Sequence, residues 1–128
     1  VEYNDLIPEL IVTDIEKSRW FYCDLLGFTV EYERPQEKFL FISLRGIQLM
    51  LEQGSHHELS TLSYPFGRGM NLTFGVPNIK DVYAQLIAAN YPIHRPLERR
   101  EFQVDQHVVT PQEFAILDPD GYYIRISD

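Results

Sequence analysis

Four histidines and one cysteine are the side chains of this 128-residue chain most able to hold a metal or attack a substrate. His56 and His57 are adjacent in a polar stretch, His94 lies between Pro92 and Pro96, and His107 falls in an alternating run. A metal centre needs several N, O or S donors converging on one point. Neighbouring side chains in an extended segment diverge, so His56 and His57 read as solvated loop residues. His107 reads as a hydrogen-bonded or exposed histidine, with a cavity wall as the alternative. Cys23 has no histidine or base near it in sequence, and a nucleophilic thiolate needs such an activator, so it reads as a structural thiol. Gly67-Arg68-Gly69 lacks the lysine and the spacing of a phosphate loop. What remains is a set of carboxylates and arginines whose meaning depends on the elements that carry them.

Those elements are organised around Val12–Phe28, VTDIEKSRWFYCDLLGF. Asp14 stands where an N-cap would, and Glu16 adds negative charge at the positive end of a helix. Ile15, Ser18, Phe21, Tyr22, Leu25 and Leu26 recur at helical spacing, and Gly27 supplies a left-handed exit. Strands are predicted before it (Leu6, Ile7, Leu10, Ile11, Val12) and after it (Phe28, Val30, Tyr32). Phe39–Leu44 and Ile47–Glu52 form a hairpin around Arg45-Gly46. Gln53–Gly69 is polar and without period, so it reads as a long loop. Asn71–Val76 is strand-like, Asn78 caps a second helix over Ile79–Ala89, and Asn90 can take a left-handed exit. Tyr91–Ile93 opens a short strand, Pro96 and Glu98–Glu101 interrupt, and Phe102–Val109 alternates again. A last hairpin joins Gln112–Leu117 to Tyr122–Ile126 through Asp118-Pro119-Asp120-Gly121.

The halves repeat: Val12-Thr13-Asp14-Ile15 and Val76-Pro77-Asn78-Ile79 are 64 residues apart. Such an internal period predicts two βαβββ modules, at about 1–55 and 70–128 with a linker at 53–69. The expected fold class is α+β: one domain whose paired modules form an open, bowl-like curved sheet, a concavity of the kind that holds small ligands. At 45% hydrophobic the chain can bury a proper core, and no apolar run reaches the ~20 residues of a membrane span. A formal net charge of −8 disfavours nucleic acid and suits either solubility or a cationic ligand. A single cysteine fits a cytoplasmic setting.

SRWFYCDLLGF, with Asp14 ahead of it, resembles the first-helix signature of the vicinal oxygen chelate superfamily, which holds glyoxalase I, extradiol dioxygenases, fosfomycin-inactivating enzymes and bleomycin resistance proteins. EFAILDPDGYYIRI, Glu113 to Ile126, resembles that superfamily's last hairpin. The likeness spans essentially the whole chain. It implies paired βαβββ modules, commonly in a homodimer that exchanges strands or modules.

The resemblance also says where metal ligands would stand in the enzymes of the group. The first position falls on Ile7, the third on Asn71, the fourth on Arg125, and the second within Leu49–Glu52, on either Met50 or Glu52. Isoleucine offers no donor and arginine stays cationic, so no metal and no other cofactor is expected. Without a metal, the resemblance narrows toward bleomycin resistance proteins, which bind a drug in a dimer groove without chemistry. Leu49-Met50-Leu51-Glu52 and Leu117-Asp118-Pro119-Asp120-Gly121, followed by Arg125, resemble that branch. An acidic protein with aromatic walls suits a cationic glycopeptide with a flat tail. Residues sharing a strand face with the former ligand positions are the candidate lining: Glu9, Met50, Glu52, Asn71, Thr73, Tyr123 and Arg125. Phe102 joins them as aromatic surface, with Phe39, Phe41, Tyr64, Phe66 and Phe114 as further aromatic candidates. No catalytic residue is assigned. Two alternatives stay open: a glyoxalase- or dioxygenase-like lyase or isomerase using Glu9 or Glu52 as base and Arg125 as anion clamp, and a binder of an unrelated metabolite. An arginine in the cavity favours an anionic ligand unless Glu9 or Glu52 pairs with it.

Overall fold

Asp14 takes an extended backbone, and its carboxylate accepts from the amides of Glu16 and Lys17 at 3.0 and 3.3 Å. It thereby satisfies donors that no helical carbonyl can reach and starts α1 (Ile15–Arg19). The helix then widens into a π-helical stretch over Trp20–Leu25 and stops at Gly27, whose φ of +88° suits glycine. All six stripe residues, from Ile15 to Leu26, are buried. One of them is polar: Ser18 is fully buried and its hydroxyl oxygen has no hydrogen-bond partner.

The computed structural model describes all 128 residues, and the chain divides into two compact units, Val1–Phe66 and Gly67–Asp128. No helix is long and apolar enough to cross a membrane. In the first unit, β1 (Glu9–Val12), β2 (Thr29–Arg34), β3 (Phe39–Leu44) and β4 (Ile47–Gln53) form one sheet in the order β1-β4-β3-β2. β1 and β4 run parallel, and the other pairs are antiparallel. Leu10, Val12, Leu40, Ile42, Leu49 and Leu51 make the buried helix-side face, because side chains alternate across a strand. Arg19 of α1 reaches Glu33 of β2 at 2.6 Å on that side. Arg45 turns the β3–β4 hairpin at φ 54°.

The second unit repeats the plan. β5 (Leu72–Gly75), α3 (Ile79–Ala88; α2 is described below), β6 (Arg95–Arg99), β9 (Gln112–Leu117) and β10 (Tyr123–Ser127) give the sheet order β5-β10-β9-β6. β5 and β10 are the parallel pair, as β1 and β4 are in the first unit. Phe74, Phe114, Ile116, Ile124 and Ile126 are the buried helix-side face, and Tyr83 of α3 meets the Phe114 ring edge-on at 4.9 Å. Asp118 shapes the last turn by accepting from the amides of Asp120 and Tyr122 at 2.9 and 3.0 Å. The α+β class and the doubled βαβββ plan are therefore as the sequence implies.

Four local readings need correction. Gln53–Gly69 is not structureless. β4 runs to Gln53, and α2 (His56–Ser60) follows, opened by a reciprocal capping box of Ser55 and Glu58. Tyr91–Ile93 forms no strand; β6 begins later and includes Pro96 and part of the charged run. Proline is tolerated there because β6 is an edge strand with a register shift between Arg95 and Glu98. Phe102–Val109 is a separate hairpin, β7 (Phe102–Val104) with β8 (His107–Val109), not a strand of the main sheet. Asn78 stands at the N-cap of α3, yet its side chain makes no capping hydrogen bond. Asn90 does take the expected left-handed exit, at φ 57°.

Candidate functional site

In each unit, the sheet face away from the helix carries most of the residues singled out from sequence, and register shows which of them are neighbours. In the first unit one cross-strand row reads Glu9, Met50, Phe41, Tyr32, and the next reads Ile11, Glu52, Phe39, Arg34. The second half of each row depends on a bulge. β2 shifts register between Val30, paired with Ile42, and Tyr32, paired with Phe41. Strict alternation would put Val30 and Tyr32 on one face; the extra residue turns Tyr32 and Arg34 onto the helix-free face.

The result is an aromatic group with an acidic border. Tyr32 stacks on Phe41 with ring centroids 5.1 Å apart and planes within 6°, and more loosely on Phe39. Tyr3 meets Phe41 edge-on at 5.3 Å, and its hydroxyl donates to Tyr32 Oη at 3.2 Å. Tyr3 is placed by a strap along β4. Gln48 accepts from the Asn4 amide and donates to the Glu2 carbonyl, both at 2.7 Å, while Asn4 Nδ2 reaches the Gly46 carbonyl at 2.8 Å. Arg34 lies over the Phe39 ring at 4.3 Å, so this surface already holds one cation by its π face. Phe39 and Phe41 are buried beneath these neighbours, whereas Tyr3 is exposed and Tyr32 half-buried.

The acidic border is electrostatically unbalanced. Burial raises the carboxyl pKa of Glu52 above its usual range, and the charges of Glu9, Glu58 and Glu37 raise it further. Arg34 pulls the other way but does not reverse the shift. Glu58 takes part because α2 is packed back toward this sheet: a β-carbon on Gly54 would lie 2.7 Å from Ile11 Cγ2 and 2.9 Å from Leu59 Cδ2.

The second unit's helix-free face has other chemistry. Its central row reads Thr73, Arg125, Ala115, Arg95, and the next reads Gly75, Ser127, Glu113, Glu98. Asn71, Tyr123, Arg125, Ala115, Glu113, Arg95, Pro96, Glu98 and Arg100 line a cavity of about 200 Å³, which the Phe114 segment also borders. Arg125 Nε donates to Thr73 Oγ1 at 3.2 Å. Glu113, only 4% exposed, is the common partner of Arg100 and Arg125, whose Nη1 atoms stand 3.5 and 3.9 Å from Glu113 Oε1. Arg95 pairs with Glu98 at 3.4 Å, and the His94 ring meets Tyr123 edge-on at 5.4 Å.

Of the sequence candidates, Glu9, Met50 and Glu52 come together in the first unit, and Asn71, Thr73, Tyr123 and Arg125 in the second. Phe102 joins neither group: it sits on the separate hairpin, 5.6 Å under the Arg100 guanidinium, and does not line the cavity. The ring of Phe114 is helix-side core, and Tyr64 is exposed. Sequence reasoning missed Tyr3, Tyr32, Arg34, Arg95, Arg100 and Glu113. Glu113 was within reach, because a tight hairpin turn places it diagonal to Arg125 across the β9–β10 pair.

A larger cavity of about 360 Å³ opens beside the start of α1, between Asp14, Arg19, Glu33, Lys38 and Gln53. Of the candidate residues only Phe39 lines it. Its polar groups already serve the fold: Arg19 bridges Glu16 and Glu33, and Gln53 Oε1 accepts from the Ile15 amide at 3.1 Å.

The donor set does not fit a metal. Met50 pairs with Glu9, and Arg125 with Thr73, the residue 64 positions after Glu9, so Met50 rather than Glu52 is the register counterpart of Arg125. A thioether and a guanidinium at those two places, with Ile7 and Asn71 at the others, cannot hold a hard or borderline cation. No group of three or more His, Cys, Asp or Glu side chains converges elsewhere. Cys23 is half-buried, and burial raises its thiol pKa, away from thiolate reactivity.

Comparison with known proteins places this architecture. A family model described as the glyoxalase/bleomycin resistance protein/dioxygenase superfamily matches residues 6–126. A superfamily member from Vibrio splendidus 12B01 is 35% identical over 93% of both chains, with a TM-score of 0.42. A glyoxalase/bleomycin resistance protein/dioxygenase from Alicyclobacillus acidocaldarius is 13% identical over 97% of this chain and 89% of its own, with a TM-score of 0.73. A virulence protein from Salmonella typhimurium is 23% identical over 99% of this chain and 97% of its own, with a TM-score of 0.70. The last two likenesses concern the fold alone. No curated protein matches the chain.

Proposed function

Because the chain belongs to the glyoxalase/bleomycin resistance protein/dioxygenase superfamily, we propose that it is a metal-free binding protein of the bleomycin-resistance type. It sequesters a cationic, partly aromatic small molecule without chemical conversion. The observation that carries this reading is the juxtaposition of Glu9 and Glu52 with the Tyr3–Tyr32–Phe41 aromatic group on one sheet face. Burial first, and then the negative charges of Glu9, Glu58 and Glu37, raise the Glu52 carboxyl pKa, so part of the shift is repulsion among these carboxylates. A ligand cation relieves that repulsion, and its flat portion gains contact with Tyr3 and Tyr32. Met50 adds an adaptable apolar contact between Glu9 and Phe41. The proposal includes a homodimer: an open sheet face covers only one side of a ligand, whereas drug-sized ligands are usually held with most of their surface buried.

Calorimetric titration of micromolar protein with bleomycin, with and without Cu²⁺, tests this directly. Saturable heat, weakened by Glu52→Gln and Glu9→Gln, is expected; no heat in either form contradicts the reading. Because the Glu52 pKa is raised, affinity for the cation declines earlier on acidification than for an ordinary carboxylate. Stoichiometric Zn, Ni or Fe in the purified protein would overturn the metal-free part, and a monomer mass in gel filtration would overturn the dimer.

A further inference from the structure

The second unit's cavity is built around a charge arrangement that the first unit's face does not explain. Its lining holds three guanidiniums, Arg95, Arg100 and Arg125, and two carboxylates, Glu98 and Glu113. Arg95 and Glu98 pair with each other. That leaves Glu113 as a single buried carboxylate between two arginines, so one positive charge lacks a counterpart in the cavity wall. Both contacts go to the same carboxylate oxygen, and at 3.5 and 3.9 Å they are looser than the 2.7–2.9 Å typical of a closed charge-assisted fork.

We propose that this cavity binds a small carboxylic acid as its anion, with Arg125 and Arg100 receiving the carboxylate and Glu113 acting as a positioning residue. Glu113 is fixed by burial and holds the two guanidiniums near one another against their mutual repulsion. Arg125 is further oriented by its Nε–Thr73 hydrogen bond, which leaves its Nη edge for a ligand. A planar guanidinium edge matches a carboxylate by two parallel hydrogen bonds, a fit lysine cannot reproduce. Beside the charged groups, Tyr123, Ala115 and Pro96 give the same cavity an apolar side. A volume of about 200 Å³ suits a carboxylate with a compact apolar body, such as a benzoate-sized molecule. The protein's net charge of −8 opposes general attraction of anions, so binding rests on this local geometry.

The test uses the full chain titrated with sodium benzoate and, in parallel, with inorganic phosphate, by calorimetry and by amide chemical shifts. One equivalent of benzoate is expected to bind, saturating below about 10 mM, with shifts at Thr73, Ala115 and Tyr123. Arg125→Gln and Arg100→Gln are each expected to weaken it by about tenfold or more. Arg125→Lys, which keeps the charge and guards against loss of fold, should still lose severalfold. Benzoate is expected to bind whether or not the same protein gives heat with bleomycin, so this proposal and the cationic-drug reading fail separately. The proposal is overturned by absence of saturable benzoate binding, by arginine variants that bind as well as the parent, or by phosphate binding at equal or greater strength.

Discussion

The two units share strand order, the placement of the parallel pair and a bulged edge strand, yet their helix-free faces have different chemistry at matching register positions. Where the first unit has Phe41, Phe39, Met50 and Tyr32, the second has Ala115, Glu113, Arg125 and Arg95. The helix-side positions at the same registers are apolar in both: Leu40, Ile42, Leu49 and Leu51 against Phe114, Ile116, Ile124 and Ile126. The difference shows that the fold constrains one face of each sheet and leaves the other open. Aromatic bulk and acid fill that face in one unit; guanidiniums around a single buried carboxylate fill it in the other.

Removing the largest group tests this contrast most strongly. Phe41 is fully buried at the centre of the first unit's aromatic group, and Phe41→Ala should cost about 3–5 kcal/mol in urea unfolding. A cost below about 1 kcal/mol would mean that the rings do not support this face. Glu113→Gln should cost about 1–2 kcal/mol, because two arginines lose their shared partner; their partial exposure keeps the effect below that of a fully buried pair. Added salt should reduce that penalty by screening the repulsion that remains.

Smaller effects sharpen the same picture. Ser18 carries the unpartnered buried hydroxyl in the first unit's helix stripe, so Ser18→Ala should be neutral or stabilise by up to about 1 kcal/mol. Glu52→Gln should stabilise at pH 7 by about 0.5 kcal/mol or less. The sign follows from the raised pKa. The folded state holds a proton on Glu52 more tightly than the unfolded chain, so this group's stabilisation is present in acid and lost as pH rises through its folded pKa. The gain from the glutamine should therefore vanish in acid, as seen in thermal melts across pH 3–7 near the carboxylate range.

Much of this fold could be read from residues. Asp14, Gly27 and the stripe between them specify α1 and its buried face, and the 64-residue echo points to a second module with the same element order. Asp118-Pro119-Asp120-Gly121 places the last hairpin by its turn chemistry alone. What escaped has physical causes. Bulges in β2 and β6 change strand parity by one residue, so Tyr32, Arg34 and Arg95 could not be assigned to a face by counting. Tyr3 is delivered by a non-strand segment whose hydrogen bonds to Gln48 and Gly46 have no local sequence signal. α2 has fewer than two turns, too short for a hydrophobic period, although Ser55 and Glu58 spelled its capping box. Alternation over Phe102–Val109 reads as one strand, but the turn at Asp105, with φ 52°, folds it into a hairpin that carries Phe102.

In the proposed function, the first unit's acidic aromatic face receives a cation. Titration of the isotopically labelled full chain with bleomycin, followed by amide and methyl chemical shifts, tests it most directly. Saturable changes should concentrate at Glu9, Met50, Glu52, Tyr3 and Tyr32 and weaken in Glu52→Gln. Changes confined to Thr73, Arg125 and Tyr123, or no changes at all, would contradict it.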